Sequence, residues 1–273
     1  MALSGKLGFI GGGRMGEALI QGILKSGIIT AVDILVSDPV AARRAYLTES
    51  YGVTTFDSSE AENIWSVCTT VILAVKPQIM KDVLLAAKNN INDSHLLISI
   101  AAGIQSSFID INLSGCNCRI IRVMPNTPAF VLEAASALCS GPRAMQEDMD
   151  TAVTIFDSIG KTVILEEKYF DAVTGLSGSG PAYVFTFLEA LIDGGLKVGL
   201  NRPDAELLAM QTVLGSVKLA MSSKEHPAQL RAMVTSPGGT TIAGLHELET
   251  AGFNGIIMDA IEAATERSKE LGK

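Results

Sequence analysis

The chain is poor in cysteine, histidine and positive charge, and each scarcity excludes something. It has four cysteines in 273 residues, too few for the disulfide scaffold of a small secreted domain. They are Cys68, Cys116, Cys118 and Cys139. The Cys116-x-Cys118 pair lacks the usual zinc spacing and has no histidine near it, so no metal site is expected. The three histidines, His95, His226 and His246, are scattered and form no obvious proton relay. A formal charge of −8 argues against nucleic acid or an anionic membrane as partner. No apolar run is long enough to span a bilayer, and no secretory signal fits before a first strand near Lys6. The expectation is a cytoplasmic protein with reduced thiols. With 48% hydrophobic residues, the chain can bury a sizeable core, as one large or two ordinary domains.

What the chain does have, close to its start, is a glycine fingerprint. Gly11-Gly12-Gly13-Arg14-Met15-Gly16 reads G-x-G-x-x-G. Leu7, Phe9 and Ile10 upstream suit a buried strand; Met15, Leu19, Ile23 and Leu24 downstream recur at helical spacing. Glycine is needed there because a side chain would block the tight turn and keep a dinucleotide pyrophosphate from the backbone. The free N–H groups of the helix start then face the phosphates.

Strand and helix patterns alternate from there. Strands are expected at Ile34-Leu35-Val36-Ser37, near Val53, at residues 71–75, 96–100 and 119–123, and then at 135–139 and 162–165. This alternation predicts an α/β fold, a doubly wound parallel sheet whose ligands bind at the carboxyl ends of the strands. Those ends are residues 74–77, 100–103 and 124–128. At the end of the second strand, Asp38 favours a free ribose 2′-hydroxyl, while Ser37, Arg43 and Arg44 favour a 2′-phosphate. Asp38-Pro39 reads equally as a helix cap. After Glu167 the β patterns stop and the rest reads as helix. The expected domains are therefore 1–167, binding a dinucleotide, and 168–273, all-helical and apolar enough to require self-association. Two loops interrupt the helical half: residues 177–181, and Thr235-Ser236-Pro237-Gly238-Gly239-Thr240-Thr241. The second offers backbone N–H groups and two hydroxyls at a helix start, a site for a carboxylate or phosphate, though an ordinary N-cap explains it too.

Residues 171–199, opening Asp171-Ala172-Val173-Thr174-Gly175-Leu176-Ser177-Gly178-Ser179-Gly180-Pro181-Ala182-Tyr183, closely resemble the signature of the pyrroline-5-carboxylate reductase family. So do residues 234–242. Residues 9–16, 74–77, 101–103 and 122–128 also match, in order and over nearly the whole chain. The resemblance implies a Rossmann-like N-terminal domain, a helical C-terminal dimerisation domain, and reduction of 1-pyrroline-5-carboxylate to L-proline with NADPH or NADH, the last step of proline biosynthesis. It implies a homodimer, which in the family often assembles further into a decamer. Carried over by position, the cofactor residues are Ile10, Gly11, Gly12, Gly13, Arg14, Met15 and Gly16, then Ser37, then Ala74, Val75, Lys76 and Pro77, then Ile100, Ala101 and Ala102. The substrate residues are Ser236, Gly239, Thr240 and Thr241, with Thr174 nearby. Many relatives have an Asn touching adenosine where this chain reads Asp57-Ser58-Ser59-Glu60.

The chemistry is consistent with these residues. A protonated cyclic imine is already a strong electrophile, so its reduction needs a hydride donor and a carboxylate anchor, with no metal. The sequence leaves open whether a water or a hydroxyl such as that of Thr174 holds the imine proton. A β-hydroxyacid dehydrogenase would share the two-domain plan and match Gly175, Gly178 and Gly180. Its catalytic lysine and asparagine, however, are replaced here by Val184 and Leu188. A non-catalytic NAD(P)-binding redox sensor is a rival of another class, and the intact anion-binding loop argues against it.

Overall fold

The computed structural model describes residue 3 and residues 5–272. Strand β1 (Leu7–Ile10) leads into α1 (Arg14–Ser26), β2 (Ile34–Ser37) into α2 (Ala41–Tyr51), and β3 (Thr54–Phe56) into the short α3 (Glu62–Trp65). Then β4 (Thr70–Leu73) leads into α4 (Met80–Ala87) and β5 (Leu96–Ser99) into α5 (Ser106–Asn112). They are followed by β6 (Arg119–Met124), β7 (Ala134–Ser140), α6 (Gln146–Asp157), β8 (Gly160–Ile164) and one turn of helix, α7 (Phe170–Val173).

The eight strands form one sheet in the order β3-β2-β1-β4-β5-β6-β7-β8. Side chains alternate across it. Ile72 and Ile98 join a core with Phe9, Leu19, Ile23 and Phe156 on one face. Their neighbours Val71, Leu73 and Leu97 join Ile64, Leu84 and Ile109 on the other. Each fully buried side chain of this kind contributes roughly 1.5–3 kcal/mol, so a strand apolar at every position is stable only with helices on both faces. The expected parallel sheet is found over β1–β6, but β7 runs antiparallel to β6, and β8, parallel to β7, shares the reversed direction. The β6–β7 connection has no crossover helix, only a 3₁₀ turn at Thr127–Val131, and a parallel neighbour would need a long crossover. The chain starts at β1, winds out to β3, then returns to β4. That reversal leaves a crevice at the carboxyl ends of β1 and β4.

The backbone separates into two compact units. One runs to Gly178 and includes the residues from Ala264 onward; the other is Ser179–Ala263. The second unit contains α8 (Gly180–Lys197), α9 (Arg202–Ser223), α10 (Pro227–Met233), α11 (Thr240–Thr250) and most of α12 (Phe253–Leu271). Proline sits in the first turn of α8, α9 and α10, where its missing N–H costs no hydrogen bond. Helices α8 and α9 approach closely, because a Cβ on Gly195 would lie 3.0 Å from that of Ala205. Yet only Ala205 and Ala209 are buried hydrophobics in this unit, while Phe185 and Leu207 are each 65% exposed. Helices this apolar, taken alone, lack a core.

Candidate cofactor and substrate site

The glycine turn is built from close approaches. Gly11 has φ +103°, and a Cβ there would lie 2.6 Å from the Ala74 carbonyl oxygen. Its N–H donates to the Ser37 carbonyl at 2.8 Å, while the Ala74 N–H donates to that of Ile10 at 2.8 Å. A Cβ on Gly16 would meet the Gly11 carbonyl at 2.8 Å, so α1 starts hard against the turn. Gly13 differs. It is the N-cap of α1, at φ −64°, and its Cβ position has open space around it. No side chain caps this helix. The N–H groups of Arg14, Met15 and Gly16 therefore lack intrahelical acceptors at the positive end of a 13-residue helix. Open space beside bare N–H donors fits a dinucleotide pyrophosphate.

The ribose end is wired differently from either sequence-based expectation for Asp38. Its carboxylate is buried and accepts from the Gly12 N–H at 2.9 Å and the Val40 N–H at 2.9 Å, so it braces the glycine turn. The N-cap of α2 is Val40. Arg43 donates to the Gly12 carbonyl and pairs with Glu17 at 2.5 Å; Arg44 pairs with Asp57 at 2.8 Å. Both guanidinium groups beside Ser37 thus already hold a carboxylate. Burial pushes the Glu17 carboxyl up, but hydrogen bonds from Arg43, Tyr51 and Tyr46 outweigh it and hold the group below its ordinary value. A cavity of about 610 Å³ opens here, lined by Ile10, Gly11, Ser37, Ser58, Ser59 and Val75. It lies at the carboxyl ends of β1 and β2. Another cavity, of about 440 Å³ and lined by Lys6, Thr70, Leu96 and Arg119, opens at the amino ends of the strands, away from the glycine turn.

The loops after β4 and β5 carry Ala74, Val75, Lys76 and Pro77, and Ile100, Ala101 and Ala102. The two adjacent strands bring them together, and the Ile100 N–H donates to the Leu73 carbonyl at 3.2 Å. Beyond β6, buried Asn126 donates to the Ser177 carbonyl at 3.0 Å and accepts from the Ala135 N–H at 2.9 Å. It thereby ties the strand end to a π-helical turn, Thr174–Gly178. Such turns are rare and recur at functional sites. The Thr174 hydroxyl lies in it and donates to the Phe170 carbonyl at 2.8 Å, which leaves its oxygen able to accept. Nearby, Arg122 is buried and pairs with Glu167 at 3.0 Å. Burial pushes the Glu167 carboxyl up, but the Ser106 hydroxyl and N–H and the Arg122 guanidinium outweigh it and hold it low.

In the helical unit, Gly238 takes φ +68° and Gly239 is the N-cap of α11, again with no side-chain cap. A Cβ on Gly239 would lie 2.4 Å from the Ser236 hydroxyl oxygen, so any larger residue there would have to turn that hydroxyl away. Ser236, Gly239, Thr240 and Thr241 thus gather at one bare helix start. Two of the histidines have structural roles. His95 is buried with Nε2 2.9 Å from the Trp65 carbonyl oxygen, and His226 caps α10. All four cysteines are free; burial pushes Cys68 up to about 11 and both Cys118 and Cys139 up to about 12, so those three are poor nucleophiles. Asn126, Glu167 and the bracing role of Asp38 are features that sequence reasoning did not single out. None has a spacing signature, since each acts on a backbone group distant in sequence.

Two family models match the chain: "Pyrroline-5-carboxylate reductase dimerisation" over residues 167–271 and "NADP oxidoreductase coenzyme F420-dependent" over residues 6–103. The chain is 47% identical to a pyrroline-5-carboxylate reductase of Pisum sativum, covering 97% of this chain and 95% of that one. It is also 47% identical to one of Methanosarcina acetivorans, covering 98% of each. A solved pyrroline-5-carboxylate reductase from Coxiella burnetii superposes with a TM-score of 0.92 at 33% identity, over 99% of this chain and all of that one. A pyrroline carboxylate reductase from Plasmodium falciparum, solved with NADP bound, gives 0.89 at 36% identity over the whole of both chains.

Proposed function

The chain belongs to the pyrroline-5-carboxylate reductase family, and from that premise we propose how its residues divide the work of one reaction. The reaction is the NAD(P)H-dependent reduction of 1-pyrroline-5-carboxylate to L-proline. The bare start of α1, with residues 10–16, holds the pyrophosphate, and Ser37 faces the ribose. Residues 74–77 and 100–102 line the nicotinamide, which when bound supplies the hydride. Both NADPH and NADH serve, with a lean to NADPH from Ser37, Arg43 and Arg44. The substrate carboxylate rests on Ser236, Gly239, Thr240 and Thr241. The Thr174 hydroxyl, its proton committed to Phe170, accepts from the N–H of the protonated imine.

The observation that carries this reading is the second uncapped, glycine-led helix start, at α11, which offers N–H donors, two hydroxyls and a positive helix end to a carboxylate. As domains we assign 1–167 to the dinucleotide and 168–273 to dimerisation and substrate, in keeping with the dimerisation family model beginning at residue 167. The exposed apolar helices support a homodimer; further assembly to a decamer rests on the family resemblance alone. The free thiols suit a cytoplasmic enzyme, and no described helix is long and apolar enough to cross a membrane.

Thr241→Ala tests the substrate loop. It removes one hydroxyl donor to a charged group, a loss of about 1.5–3 kcal/mol, or roughly ten- to a hundredfold in kcat/KM. Inhibition by L-proline, competitive with the imine, should weaken in parallel while NADPH affinity holds. A variant with weaker NADPH binding and intact proline inhibition would move this loop to the cofactor.

A further inference from the structure

One charged residue of the first unit has no part in the cofactor or substrate contacts, yet it ties together the segments that carry them. Glu167 lies just after β8 and is distant in sequence from everything it binds. One carboxylate oxygen accepts from the Ser106 N–H at 2.8 Å and from Arg122 Nη1 at 3.0 Å. The other accepts from the Ser106 hydroxyl at 2.6 Å. Ser106 is the first residue of α5, and its N–H would otherwise be an orphan, because no side chain near the helix start caps α5. Glu167 therefore caps α5 from across the sheet.

Two further contacts extend the connection. The guanidinium of Arg122 lies 4.7 Å from the centre of the Phe170 ring. The Phe170 carbonyl in turn takes the hydroxyl proton of Thr174. One continuous set of contacts thus runs from Ser106 through Glu167, Arg122 and Phe170 to Thr174. At one end it fixes the loop bearing Ile100, Ala101 and Ala102, which ends at Ser106. At the other end it fixes the π-helical turn. The Arg122 side chain is only 6% exposed, so its charge needs this partner.

We propose that Glu167 is a positioning residue for hydride transfer, clamping the nicotinamide-side loop and Thr174 into one fixed relation. The proposal rests on the cofactor and Thr174 assignments above. The clamp acts on geometry at the reacting centre and leaves the adenosine end alone, because residues 11–16, Ser37 and Asp38 make none of these contacts. Misplacing a reacting group by about an ångström can cost on the order of a hundredfold in rate with little change in binding.

The test compares wild type, Glu167→Gln and Ser106→Ala by steady-state kinetics, by titration with 2′,5′-ADP (which has no nicotinamide) and by the fluorescence of bound NADPH. In Glu167→Gln, kcat should fall about ten- to a hundredfold, with KM for 1-pyrroline-5-carboxylate and the Kd for 2′,5′-ADP each within about twofold of wild type. The emission of bound NADPH should shift, reporting a displaced nicotinamide. Ser106→Ala removes a hydroxyl and no charge, and should show the same pattern more weakly; it decides the matter if Glu167→Gln does not fold. Wild-type kcat in both variants would overturn the clamp. So would a loss of kcat matched by an equal loss of 2′,5′-ADP affinity, since that marks general unfolding. A wild-type enzyme that binds neither NADPH nor NADH would overturn the cofactor reading and the clamp with it.

Discussion

Replacing Gly13 by valine separates cofactor binding from folding more cleanly than any other change in the glycine turn. Gly13 sits at φ −64° and ψ −173°, a conformation open to any L-residue, and no atom beyond its chain neighbours lies within 4 Å of its Cβ position. The folded chain therefore meets no clash at the Cβ, and the expected cost is a poorer N-cap, about 1 kcal/mol, or a few degrees in Tm. The cofactor meets the full volume of the side chain at the bare start of α1. If two charge-assisted hydrogen bonds to the pyrophosphate are lost, at about 1.5–3 kcal/mol each, affinity falls by roughly a hundred- to ten-thousandfold. Gly11→Ala is the contrasting control. At φ +103°, with its Cβ 2.6 Å from the Ala74 carbonyl oxygen, it must disturb the turn itself and lower Tm as well. Fluorescence titration with NADPH and a thermal melt read the two effects apart. A Gly13→Val protein that binds NADPH normally would falsify the placement of the pyrophosphate.

Asp38 and assembly give two further tests. Since the Asp38 carboxylate is held by the Gly12 and Val40 N–H groups, Asp38→Ser should weaken NADH and NADPH together, by about tenfold or more; a changed ratio of kcat/KM with NADPH kept at full strength would put Asp38 on the ribose instead. The helical unit should form an isologous dimer. Sedimentation at falling concentration should show activity lost as the dimer dissociates, and a fully active monomer would refute that assignment.

Most of the sheet was legible because strands such as residues 71–75 are apolar at every position, a pattern that only burial on both faces can accommodate. The direction of β7 was not, because strand patterning carries no sign of direction. What decides it is the lack of a crossover α-helix between Met124 and Ala134, where the prolines at 125 and 128 read as loop in either case. The glycine turn was legible because glycine at 11, 13 and 16 leaves a spacing that few other structures require. The bracing carboxylate at 38 was visible as a residue and misread as a role. A ribose contact and a helix cap are local or ligand-directed, whereas its main partner, the Gly12 N–H, lies 26 residues away. Glu167 and Asn126 were hidden for the same reason, since each satisfies a backbone group across the sheet. The bare helix start of α11 was legible from its Gly-Gly-Thr-Thr run; its hold on the substrate carboxylate is the proposal that Thr241→Ala tests.

The central claim is that this chain passes a hydride from a nicotinamide to a cyclic imine. The purified protein, incubated with NADPH and 1-pyrroline-5-carboxylate, should consume NADPH only when the imine is present and form L-proline mole for mole. NADPH consumption independent of the imine, or an intact, NADPH-binding protein that forms no proline, would contradict it.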